Sequence, residues 1–94
     1  MKKMGQSDLL QELKKKRKEI DLIDQKLLTL LNQRLRIARE IGKIKKEMGK
    51  KIDDQEREKE ILEKLKINNK GPMKEEDLKK VFNIIIKVCR KFQI

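Results

Sequence analysis

The constraint that dominates this chain is an unbroken helical pattern of about 40 residues whose apolar rows are interrupted by charge. From about Asp8 to Met48 no proline intervenes, and apolar residues recur in heptad rows. One row holds Leu13, Ile20, Leu27, Ile41 and Met48, with Arg34 in its middle. The next holds Ile23, Leu30, Ile37 and Ile44, and the third reads Leu10, Arg17, Asp24, Leu31, Ala38, Lys45. Residues so spaced share one face of a helix and should meet a core. Arg17, Asp24, Arg34 and Lys45 therefore fall where a core is expected. An unpartnered charge in a core is costly, so each needs an ion partner, a wet cavity or an anionic ligand.

The remaining pattern predicts two shorter helices. Ser7 or Asp8 can cap the first helix, and residues 1–7 are expected to be disordered. Gly42 lies inside that helix at a cost of about 1 kcal/mol, and Gly49 is a natural residue to end it. Asp53 or Asp54 caps the second helix, and Asp53 with Glu56 resembles a capping box. Ile61, Leu62 and Leu65 mark its buried face, with Glu58 one turn earlier on the same side. Asn68-Asn69-Lys70-Gly71-Pro72 is a break. A third helix is expected from about Lys74 to Phe92, with Leu78, Val81, Phe82, Ile85, Val88, Cys89 and Phe92 as its apolar face and Gln93 extending it. No strand pattern or repeat appears. The chain reads as one all-α domain over residues 1–94, with three helices, one of them very long.

Such a first helix is roughly 60 Å long, and the other two together are too short to cover its stripe. With 46% charged residues and only Phe82 and Phe92 as aromatics, a lone monomer would bury a thin core. The simplest solution is a second copy, the long helices antiparallel and intertwined in a homodimer.

Composition narrows the chemistry. With no His and one Cys, a metal site or a His-based triad is not expected. Cys89 alone excludes an intrachain disulfide and points to a reducing compartment. The basic N-terminus leads into no apolar segment and no run is long enough to span a membrane, so a soluble cytoplasmic protein is expected. The net charge of +11 attracts anions. Most lysines, such as Lys14, Lys15, Lys46 and Lys59, fall at outer helix positions and read as solvated surface. Without stacking aromatics, nucleic acid is a weak candidate partner.

Arg34 and Lys45 stand eleven residues apart, about 16 Å along one face, within converging reach of one small ligand. Arg17 lies about 25 Å from Arg34 and about 42 Å from Lys45 on the same helix. It can join them only from the other chain of an antiparallel pair, which predicts two equivalent sites per dimer. The competing reading is that all four charges form structural ion pairs, with Arg17 and Asp24 pairing across the interface. From the charges alone both readings stand, and Asp24 is assigned more readily to structure.

Taken in order, the residues resemble the all-helical class of chorismate mutase from about Leu13 to Gln93. The likeness lies in Arg17-Lys18-Glu19-Ile20, Ile23-Asp24-Gln25-Lys26-Leu27-Leu28, and Arg34 followed by Ile41-Gly42-Lys43-Ile44-Lys45. It continues in Asp54-x-x-Arg57-Glu58, and in Phe82, Ile85-Ile86, Cys89 and Gln93. The resemblance implies an intertwined dimer with active sites shared between subunits and the rearrangement of chorismate to prephenate, on the route to phenylalanine and tyrosine. No cofactor is implied, since a unimolecular pericyclic shift depends on holding a reactive conformer and stabilising developing charge. By the same resemblance Arg17 of one chain and Arg34 of the other hold the substrate carboxylates. Lys45 and Gln93 donate to the ether oxygen, and Glu58 accepts from the ring hydroxyl, helped by the backbone near Asp54. Arg57 lines the pocket, and Cys89 stands where the family often has Ser. Asp54 has an equal claim as a helix cap, and Arg57 as a surface partner of Asp53 or Glu60. An isochorismate-pyruvate lyase of the same fold is the nearest rival, and the Asp54-x-x-Arg57-Glu58 opening favours the mutase. A basic nucleic-acid-binding helical protein is the rival from another class. A purely structural coiled coil leaves Arg34 and Lys45 in a core row unexplained.

Overall fold

The computed structural model describes residues 5–94; the expected disorder of the N-terminus, where it concerns residues 1–4, lies outside them. Three helices form: α1 (Gln6–Met48), α2 (Gln55–Asn68) and α3 (Glu75–Phe92), with no strand among the described residues. The all-α architecture with one very long helix is as the periodicity predicts. α1 begins ahead of both Ser7 and Asp8, because the Leu9 N–H already donates to the Gly5 carbonyl at 3.1 Å. Asp8 then falls within the first turn, where its charge suits the positive end of the helix dipole. At the other end Gly49 takes φ +68. The Gly49 N–H donates to Lys46 O at 3.2 Å and the Lys50 N–H to Lys45 O at 2.8 Å, the paired bonds of a Schellman stop.

The chain divides into two compact units, one up to Asn32 and one from Gln33 to Ile94. The first, over its described residues, is a stretch of α1 alone. A single helix has nothing in its own unit to pack against, so Leu9, Leu10, Leu13, Ile20, Ile23, Leu27 and Leu30 stay 45% to 61% exposed. Arg17 and Asp24 are exposed in the same stretch.

The second unit holds the last turns of α1, α2 and α3. Its buried residues are Ala38 and Gly42 on α1 and Leu78, Ile86 and Cys89 on α3. Ile61, Leu62 and Leu65 of α2 and Phe82, Ile85 and Phe92 of α3 are half-buried around them. The expected face of α3 is thus rotated slightly: Ile86 enters the core, while Val81 and Val88 stay 43% and 38% exposed. The steps of four, four and three from Leu78 through Phe82 and Ile86 to Cys89 follow the helical period, and the two valines flank that line. The Arg39 guanidinium lies over the Phe92 ring, 5.4 Å from its centre, clasping the end of α3 to α1.

The connections are held locally. Asp54, not Asp53, caps α2, its carboxylate accepting from the Arg57 N–H at 3.0 Å. The box expected from Asp53 and Glu56 does not form, because the cap lies one residue later and the third helical position is then Arg57. Between α2 and α3, Lys66 pairs with Glu75 at 3.1 Å, and Asn69 donates to Met73 O at 2.8 Å. No helix among the described residues is long and apolar enough to cross a membrane.

Candidate active site

The close approach that builds the site follows from one residue with no side chain. Gly42 is buried in α1, and a methyl group there would overlap the backbone of Gln93. The missing Cβ lets the end of α3 rest directly on α1. Gln93, the C-cap of α3, thereby meets Lys45 one turn further along α1. Lys45 Nζ donates to Gln93 Oε1 and to the Ile52 carbonyl, each at 2.9 Å. An ammonium offers only donors, so the Gln93 amide must turn its oxygen toward Lys45 and leave its NH2 as the donor on the other side.

Both Lys45 acceptors are neutral, so its charge is held in place without being cancelled. Neither Lys45 nor Arg34 pairs with a carboxylate among the described residues. The ion-pair reading of these core-row charges therefore finds no support within this unit. They open instead on a cleft of two adjoining lobes, about 70 Å³ and about 280 Å³, both lined by Arg34, Lys45, Asp54, Arg57, Cys89 and Gln93. The larger lobe is near the low end of small-ligand sites. Larger hollows lie along α1, around Leu9 to Leu13 and Leu22 to Leu30, but each is lined by that one helix and holds no converging charges.

The smaller lobe also carries Glu58 and Arg90, so four cations face two acids around it. Such a lining favours a small dianion. Asp54 lies at the lip as a helix cap, occupied by the Arg57 N–H. The Arg57 side chain takes the surface partner that its spacing allowed, bonding Glu60 at 2.9 Å. Lys64, through its hydrogen bond to Glu60, and then Arg57 hold the Glu60 carboxyl below the ordinary carboxylate range. Glu58 is gripped by Arg90, and that bond pushes the Arg90 guanidinium above its ordinary value. Cys89 is a buried free thiol in the wall of both lobes.

Of the residues singled out from sequence, the cleft gathers Arg34, Lys45, Asp54, Arg57, Glu58, Cys89 and Gln93. Arg17 is not among its lining residues. Sequence reasoning missed Arg90, Ile52 and Gly42's part in placing Gln93. Arg90 was detectable: it lies four residues after Ile86 and three before Gln93, on the edge of the same face of α3. Ile52 acts through a loop carbonyl, which carries no side-chain signal.

Residues 16–94 match the family model described as chorismate mutase type II. The chain belongs to the chorismate mutase type II family. It is 35% identical over 86 residues to a chorismate mutase of Methanocaldococcus jannaschii, covering 90% of this chain and 87% of that one. It is 43% identical over 84 residues to a bifunctional chorismate mutase/prephenate dehydratase of Aquifex aeolicus, which covers 85% of this chain but only 23% of that longer protein. Among solved structures, the Form II chorismate mutase of Thermus thermophilus superposes with a TM-score of 0.86 at 34% identity, over 87% of this chain and 93% of that one.

Proposed function

We propose that this cleft, completed by a second copy of the chain, carries out the reaction of the chorismate mutase family, the rearrangement of chorismate to prephenate in the cytoplasm. Family membership and the likeness to solved chorismate mutases support the activity. The observation that carries the site assignment is Lys45: an ammonium held by two neutral oxygens, with no acid to cancel it, in a cleft lined by further cations.

The rearrangement breaks one C–O bond and forms one C–C bond within a single molecule, so the enzyme has to hold a folded conformer and meet charge as it develops. Arg34 grips one substrate carboxylate with the forked donors of its guanidinium. Arg17 of the partner subunit grips the other. Lys45 Nζ and the Gln93 NH2 donate to the ether oxygen as its C–O bond lengthens. Glu58 accepts from the ring hydroxyl near the α2 N-terminus, which Asp54 caps. Arg57 and Cys89 complete the wall. The exposed apolar rows of α1 support the dimer, since single-helix surface of that extent is covered most simply by another copy.

Chorismate consumption followed by absorbance, with prephenate identified as product, tests the activity. The reading predicts turnover of chorismate without added metal or cofactor. Consumption of isochorismate alone, with release of pyruvate, would assign the cleft to the lyase.

A further inference from the structure

Glu58 and Arg90 form the one ion pair that joins two walls of the cleft among the described residues, the first turn of α2 and the last turn of α3. Both are partly buried, with side chains 27% and 39% exposed. Arg90 Nη2 engages only Glu58 Oε1, and Oε2 has no hydrogen-bond partner among the described residues. Ionisable groups facing Glu58 come from every side: Arg34 and Lys45 of α1, Asp54 and Arg57 at the start of α2, and Cys89 and Arg90 of α3. A glutamate left free among these cations would be drawn to Lys45, whose only partners are neutral. That contact would cancel the charge meant for the reacting oxygen.

We propose that Arg90 is a positioning residue that draws the Glu58 carboxylate to the α3 wall, keeps it off Lys45 and leaves Oε2 to accept the ring hydroxyl of the substrate. This rests on the chorismate reading of the cleft. The alternative role, a tie between α2 and α3, would affect stability but not the catalytic constants of the folded protein.

The test is steady-state kinetics with chorismate across pH for the wild type, R90Q, R90K, E58Q and the E58Q/R90Q double variant, with helical content checked by circular dichroism. In R90Q, kcat should fall on the order of 10-fold to 100-fold through misplacement of Glu58. The acid limb of kcat/KM should move up by about one pH unit as Glu58 loses its neighbouring cation. R90K keeps the charge and loses the fork, so its acid limb should stay while kcat falls several-fold; R90K carries the test alone if R90Q does not fold. In the E58Q background R90Q should cost little more, because the two residues act as a pair. An active wild type with unchanged kcat and acid limb in folded R90Q, wild-type kcat in R90K, or the same loss from R90Q with and without Glu58 would overturn the role of Arg90 alone. A wild type without turnover would remove the chorismate reading and this inference together.

Discussion

Lys45 shows how a charge is kept usable inside a protein. Pairing it with a carboxylate would make it cheap to bury and useless to a substrate. Two neutral oxygens, from Gln93 and Ile52, fix its position and leave its charge to act. Losing one donor aimed at developing charge costs about 10²- to 10³-fold in kcat. Lys45→Ala should therefore lower kcat by that order while helical content and melting temperature stay near wild type, since Lys45 makes no ion pair among the described residues. Near-wild-type kcat in the folded variant would remove Lys45 from the mechanism. Arg34 and Lys45 were legible in the sequence because a charge in an apolar heptad row breaks a pattern. Arg90 and Ile52 break none: one sits at the edge of an apolar face, and the other contributes a backbone carbonyl.

At the scale of helices, the site depends on how closely α3 can end against α1. Gly42 sets that distance. Replacing it with Ala has two opposed effects. The helix gains about 1 kcal/mol in propensity, whereas forcing a methyl into backbone that cannot retreat costs about 1–3 kcal/mol. Since the overlap is with the Gln93 main chain and not a flexible side chain, Gly42→Ala should displace the end of α3. The variant should lose both chorismate turnover and thermal stability, as read by kinetics and thermal melts; wild-type values for both would show that α3 docks elsewhere. The three helices and their limits were readable from periodicity, the Gly49 stop and the Asn68–Pro72 break. The choice of Asp54 over Asp53 as cap and the entry of Ile86 in place of the flanking valines were not. Both depend on a rotation of a fraction of a turn, which packing between helices decides and the pattern of one helix does not.

For the whole molecule, the open question is what covers the apolar rows of α1 and what supplies a second arginine to the substrate. Composition pointed to both answers at once: a charged, aromatic-poor chain with a long stripe needs a partner, and Arg17 lies too far along its helix to serve the Arg34 site within one chain. If two copies share their sites, a heterodimer of an Arg17→Ala chain and an Arg34→Ala chain concentrates both lesions in one site and leaves the other intact. The decisive measurement is the chorismate turnover of such a heterodimer, purified with a different tag on each chain, beside the two parent homodimers. The account predicts nearly inactive parents and a heterodimer with about half the wild-type activity per dimer. A verified heterodimer as inactive as its parents would contradict it.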